Sequence, residues 1–205
     1  MASTSIGYNI YATPPSSSQC ASGKPEEITL QASSCAPECA KPPPSCPTNL
    51  NGEYQFPHLI ILVSKSSPNK AYGTSFDGEV TSDVSSIFNF DIPPSYSGEL
   101  CSLVFLFPTQ SQLVTSSYTF SGSGAIDFAQ LSSPATQATD YTNAPSVAKD
   151  LGTFTVVPGN SYSISTFSCP AGQTIAFEMS AKDSTSLTYF QDYNPSPIGL
   201  YITAC

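Results

Sequence analysis

The feature that most constrains this chain is the stretch at residues 86–108, SIFNFDIPPSYSGELCSLVFLFP. Its first half alternates, with Phe88, Phe90 and Ile92 on one face and Ile87, Asn89 and Asp91 on the other. A period of two is that of a half-buried strand. The Pro93-Pro94-Ser95-Tyr96-Ser97-Gly98 segment that follows is turn-rich and cannot continue a ladder. Residues 102–107 are then apolar on both faces, Leu103, Phe105 and Phe107 against Val104 and Leu106. Such a strand lies in the middle of a sheet, covered above and below. The expected core is a β hairpin or a sheet crossing built on these two strands.

From Glu53 onward, strand signals recur every eight to twelve residues. Strands are expected near 57–63, 76–80, 84–92, 101–107, 116–121, 124–128, 152–158, 161–168, 174–180, 185–190 and 198–203. Asp77-Gly78, Ser97-Gly98, Gly122-Ser123-Gly124, Pro158-Gly159-Asn160 and Pro170-Ala171-Gly172 mark turns between or within them. A polar connection at 132–149 is expected to cross one end, and no helical repeat appears. This spacing and punctuation predict an all-β fold, an antiparallel β-sandwich or jelly roll, over residues 53–205.

Residues 1–52 differ in character. They form a Cys-, Pro- and Ser-rich arm, preceded by one short alternation (Ile6, Tyr8, Ile10) that predicts a strand at 5–11. An isolated strand is unstable in water, so this one should add to a sheet edge, of its own chain or of another, or stay disordered. Addition to another chain would make it a route to self-association. The arm holds Cys20, Cys35, Cys39 and Cys46; Cys101, Cys169 and Cys205 come later. The C-x3-C-x6-C spacing lacks the paired C-x2-C of structural zinc sites and has no neighbouring His, so disulfides are favoured over metal. Short loops close at least entropic cost, so the arm cysteines are expected to pair among themselves. Cys101 and Cys169 then form a pair, leaving Cys205 as the odd thiol.

Composition removes several function classes. The formal net charge is −9, all six basic residues are Lys, and there is no Arg. Nucleic-acid binding, which needs cationic clusters, is not expected. No apolar run is long enough to span a membrane, and an acidic chain meets anionic lipid against repulsion. The N-terminus has neither a basic n-region nor an apolar h-region, so an exported protein would have lost its leader before Met1 or used another route. Seven cysteines with few charges favour a secreted, disulfide-forming protein. None of the eight Asn residues stands in an Asn-x-Ser/Thr acceptor context, so any glycan is expected to be O-linked.

The blocks YQFPHLIILV, AYGTSFDGEV, SSIFNFDIPPSYSGELCSLVFLFP, SSYTFSGSGAIDFAQL, CPAGQTIAFEMS and YFQDYNPSPIGLYITAC together resemble the C-terminal domain of the fungal But-two proteins. That family is named for binding the activating enzyme of the ubiquitin-like modifier NEDD8. The resemblance covers residues 53–205 and implies a fungal protein, commonly behind a leader peptide, extracellular or associated with the cell wall. The name implies an intracellular partner instead. The cysteine content favours the extracellular side, and the family implies no catalytic residues.

Candidate chemistry is sparse. His58, the only histidine, heads an apolar strand, and a hydrolytic triad would require it. There is no Gly-x-Ser-x-Gly elbow. The carboxylates Asp77, Glu79, Asp91, Asp127, Glu178 and Asp192 are the candidates for glycoside hydrolysis or calcium binding, but no D-x-D-x-D-G loop supports the latter. Asp127 and Glu178 alternate with apolar residues, as solvent-side strand positions do. Tyr72, Phe76, Tyr96, Tyr141, Tyr189 and Tyr193 fall in or beside expected loops, where rings stack on sugars or on a protein partner. The expectation is a secreted, non-enzymatic protein of the fungal surface or wall, without cofactor, that binds wall components or another chain. The alternatives are a carbohydrate-binding module and an adaptor for the NEDD8-activating enzyme.

Overall fold

The computed structural model describes residues 46–205. The expected strand at 5–11 and Cys20, Cys35 and Cys39 lie outside them. The strands, all paired antiparallel, are β1 (Tyr54–Gln55), β2 (Leu59–Ser64), β3 (Thr74–Ser75), β4 (Asp77–Val80), β5 (Val84–Asp91), β6 (Leu100–Phe107) and β7 (Tyr118–Ser121). They continue as β8 (Ala125–Leu131), β9 (Val147–Thr155), β10 (Asn160–Ser168), β11 (Thr174–Ala181), β12 (Ser186–Phe190) and β13 (Gly199–Ala204). A six-stranded sheet runs β3-β2-β5-β11-β8-β9, a four-stranded sheet β1-β13-β6-β10, and a three-stranded sheet β4-β12-β7. Among the described residues no helix is long and apolar enough to cross a membrane.

The 86–108 stretch is a crossing rather than a hairpin, because β5 lies in the six-stranded sheet and β6 in the four-stranded one. The corner between them is a short 3-10 turn, Pro94–Tyr96, followed by Gly98 at φ 87°. The turn drives the Tyr96 ring inward, where it is buried and its hydroxyl accepts a hydrogen bond from Gln55 Nε2 at 3.1 Å. Phe88, Phe90, Phe128, Phe177 and Met179 face Leu103, Phe105, Phe107, Leu200 and Ile202 across the layer. Leu187 and Tyr189 of β12 belong to the same core. Phe105 is the hub, with ring centroids 5.7–6.1 Å from Phe107, Phe128 and Tyr189. Their tilted and edge-on arrangement suits the ring quadrupoles.

Parts of both outer faces are covered as well, which corrects two expectations. The first is that β5 is only half buried. Ile87 packs outward with Ile61, Val63, Leu131, Ala135 and Ala176. Asn89, also buried, donates to Ala135 O at 2.8 Å and accepts from Ala135 N at 3.0 Å. The side-chain amide thus mimics a ladder pair and fastens the connection after β8 to the sheet's outer face, instead of across its end. That connection is also shorter than expected, since β9 starts at Val147. Asn89→Ala leaves both polar groups of Ala135 unpaired, and the expected loss is about 2–3 kcal/mol of unfolding free energy. Denaturant titration measures it, and proteolysis within 132–146 should quicken in parallel.

The second concerns the domain start. Val104, Leu106 and Tyr201, on the outer face of the four-stranded sheet, are covered by Leu50 and Tyr54. The Thr203 hydroxyl donates to Pro47 O at 2.9 Å, and Cys46 is bonded to Cys205. Residues 46–52 therefore belong to the β unit rather than to the arm. The same bond overturns the pairing expected within the arm, and Cys205 is not the odd cysteine. The Cys101–Cys169 pair, by contrast, is present, and joins β6 to the end of β10. The described residues thus use four of the seven cysteines.

Candidate functional site: an aromatic cleft

A concavity of about 330 Å³ lies where the three sheets meet. Phe56, Pro57 and His58 reach it from the link between β1 and β2, and Thr74 and Ser75 from β3. Phe76 follows β3, Phe190 ends β12, and Gln191, Asp192 and Tyr193 continue from it; Tyr201 of β13 completes the wall. Four rings stand open to solvent: Phe76 is 73% exposed, Phe56 55%, Tyr193 53% and Phe190 41%. Exposed rings scattered singly need no explanation, but several lining one hollow mark an interaction site. Phe56 and Tyr193 stack, with centroids 6.3 Å apart and planes 23° from parallel.

The stretch carrying Gln191 to Tyr193 is held firmly. Gln191 N donates to Phe76 O at 3.1 Å, while its side-chain amide donates to Leu200 O at 3.0 Å and accepts from Leu200 N at 3.1 Å. Asp192 and Ile198 exchange backbone hydrogen bonds. The Tyr201 hydroxyl donates to Asp192 O at 2.5 Å and to Ile198 O at 3.2 Å. Burial, and after it the Asp192 carboxylate, push the Tyr201 phenol far above its ordinary value, so it remains a neutral donor.

Of the aromatics expected to bind a ligand, the fold brings Phe76 and Tyr193 together. Tyr96 and Tyr189 are removed from that set, because both are buried in the main core. Tyr189 alternates with Leu187 along β12, and the Tyr96 ring is turned inward at the crossing. Tyr72 is exposed but sits beneath Lys70 Nζ, 4.3 Å from the ring centroid, and Tyr141 is exposed in the connection before β9; neither lines the cleft. Phe56 and Phe190 went unexpected. The signal for them is an aromatic next to proline in YQFP and a strand-ending ring in YFQDYN.

His58 lines the cleft and its Nδ1 is 3.0 Å from Asp91 Oδ2. Asp91 Oδ1 in turn accepts from the Thr174 hydroxyl at 2.5 Å. A nucleophilic triad places the imidazole between carboxylate and hydroxyl, whereas here the carboxylate is in the middle. Three of the other carboxylates have side-chain partners of their own. Asp127 meets Thr153 Oγ1 and Lys182 Nζ, the latter at 3.5 Å, and Glu178 accepts from Ser85 Oγ at 2.6 Å. Asp192 accepts from Thr115 Oγ1 at 2.5 Å and Asn194 N at 3.0 Å, and alone of the six carboxylates lines the cleft. Asp77 and Gly78, expected to turn the chain, instead lie within β4. Gly78 is required there because a Cβ would stand 2.6 Å from both Cε1 and the hydroxyl of Tyr189.

Residues 55–195 match the family described as ubiquitin 3 binding protein But2 C-terminal domain. The chain belongs to the But2 C-terminal domain family. Two but2-like proteins of Schizosaccharomyces pombe are similar to it, one 30% and the other 28% identical over 146 residues, or 68% of this chain. The chain spans about a third of the length of these curated relatives, 31% and 37%. The But2 match includes every cleft residue except Tyr201, and it includes Cys101 and Cys169. It leaves out Cys46, Cys205 and the whole of β13.

Proposed function

We propose that this But2 domain is a secreted, non-enzymatic protein of the fungal surface or wall, and that its aromatic cleft holds a glycan. The observation that carries the reading is the set of four exposed rings lining one hollow. Pyranose rings present flat C–H faces that stack on aromatic side chains, while Ser75, Gln191 and Asp192 supply polar groups at the same site. Among the described residues no Lys lines the cleft, which suits a ligand without phosphate or carboxylate. Two disulfides support residence in an oxidising compartment.

The test is retention on insoluble glucan, chitin and cellulose. Wild type should be held by at least one polymer, and Phe76→Ala with Tyr193→Ala should weaken that roughly tenfold, two stacking contacts being worth about 1–3 kcal/mol. Failure on every polymer, or equal retention of an equally folded variant, overturns the glycan. No soluble sugar should be released during incubation. Release that disappears in His58→Ala, Asp77→Asn or Glu178→Gln would make the protein a hydrolase.

A second reading, an adaptor for the NEDD8-activating enzyme, draws on the family's description as a ubiquitin 3 binding protein. It requires a reducing compartment. Fully reduced cysteines in protein taken from its native source would favour it.

A further inference from the structure

Segment 46–56 joins the outer face of the four-stranded sheet to the cleft. At one end Cys46, buried, is bonded to the exposed Cys205. In the middle Leu50 and Tyr54 cover Val104, Leu106 and Tyr201, and the Tyr54 and Tyr201 rings meet edge-on at 6.1 Å. At the other end Phe56 stacks on Tyr193 in the cleft. Non-covalent attachment between these ends is light. β1 pairs with β13 over only two residues, Tyr54 with Thr203 and Gln55 with Ile202. Single hydrogen bonds from Ala204 N to Glu53 O, from the Thr203 hydroxyl to Pro47 O and from Gln55 Nε2 to the Tyr96 hydroxyl add to it. Tyr201 is a second link, since the ring that Tyr54 covers ends in the hydroxyl bonded to Asp192 O.

We propose that the Cys46–Cys205 bond is a redox clasp on the aromatic cleft: closed, it holds Phe56 and Tyr201 in place, and opened by thiols it lets the cleft wall loosen. The proposal rests on reading the cleft as the binding site. The two disulfides differ in access. Each bond has one buried cysteine, Cys46 or Cys101, but Cys205 is exposed whereas Cys169 is only half-exposed. Thiol–disulfide exchange needs a reachable sulfur. A glutathione thiolate attacks Cys205 Sγ, Cys46 leaves as a thiolate and takes up a proton, and a second glutathione thiolate resolves the mixed disulfide. Two electrons thereby pass to Cys46 and Cys205, and glutathione disulfide forms. The released segment is too weakly paired to stay closed, because a two-residue strand contributes little by itself.

The experiment uses the full chain in three forms: oxidised, exposed to graded glutathione, and carrying Cys46→Ser with Cys205→Ser. Alkylation and peptide mapping should find Cys46 and Cys205 free at glutathione concentrations that leave Cys101 and Cys169 bonded. Amide exchange at 53–56 and at 190–193 should rise at least about tenfold in the opened forms, and far more than at 174–181 in the centre of the six-stranded sheet. Retention on the glycan held by the oxidised protein should fall roughly tenfold, within the usual range of coupling between sites, and return on reoxidation. Reduction of both disulfides at one glutathione concentration overturns the clasp. So does unchanged exchange at 190–193, or a rise there no larger than at 174–181, which would mark a purely structural bond. If the oxidised protein is held by no glycan, the functional reading fails, while alkylation and exchange still decide the clasp.

Discussion

Replacing Cys101 and Cys169 together by alanine is expected to lower the unfolding free energy by about 4 kcal/mol and the melting temperature by about 12 °C. The bond closes a span of 68 residues, and it removes that loop's freedom from the unfolded chain. It also ties two strands already in register, Cys101 standing opposite Phe167 in the β6–β10 ladder, with Cα atoms 4.9 Å apart across the bond. Its native geometry is therefore supported by backbone pairing, and little of the entropic gain should be lost. Calorimetry of the oxidised variant and wild type measures the difference. A melting point within about 3 °C of wild type would mean that the unfolded chain is already compact in this region.

The ease of reading this sequence follows how local each determinant is. Alternation along β5, β10 and β11 and glycines at positive φ (Gly98, Gly122, Gly124, Gly159, Gly172) are written within a few residues, and most of the longer strands and their turns are legible from them, though the two-residue β1 and β3 are not. The Cys46–Cys205 bond spans 159 residues and has no local signature. Loop-closure entropy alone favours short pairings, but β1 pairing with β13 brings the two ends of the domain together and reverses that preference. The half-buried alternation places Asn89 on the solvent side for a similar reason. Its partner, Ala135, is 46 positions away, and a polar residue in a strand gives no sign that a loop will satisfy it.

The cleft was half legible. Phe76 and Tyr193 flank turn residues and were expected in the open, where they are. Tyr96 looked the same, since a Pro-Pro-Ser-Tyr-Ser-Gly run reads as exposed turn. The difference lies in what the turn connects. A hairpin turn projects into solvent, whereas the turn at a sheet crossing closes the end of the core, and its largest side chain fills that corner. Tyr189 was recoverable from its period of two with Leu187. Phe56 and Phe190 were harder, because a cleft assembled from three sheets depends on how those sheets meet.

Gly199→Ala should join these sheets badly and disable the cleft. Gly199 begins β13 at φ 116°, a conformation that costs an L side chain on the order of 1–3 kcal/mol. An added Cβ would also stand 2.5 Å from Gln191 Cδ and 2.8 Å from Tyr189 Cε2. Tyr189 is locked in the core against Phe105, so Gln191 is the group that must move. When it moves, the N–H and C=O of the buried Leu200 lose their partners, at about 1–3 kcal/mol each. The expected total is about 4 kcal/mol or more. Because Gln191 is cleft wall, with Phe190 and Asp192 on either side of it, glycan retention should fall further than the loss of folded protein explains. The decisive comparison is with Gln191→Ala, which removes the same hydrogen bonds and relieves the clash. In the Gly199→Ala background that second change should recover part of the stability but none of the retention. Full recovery of both would show that the Gln191 side chain has no part in shaping the cleft.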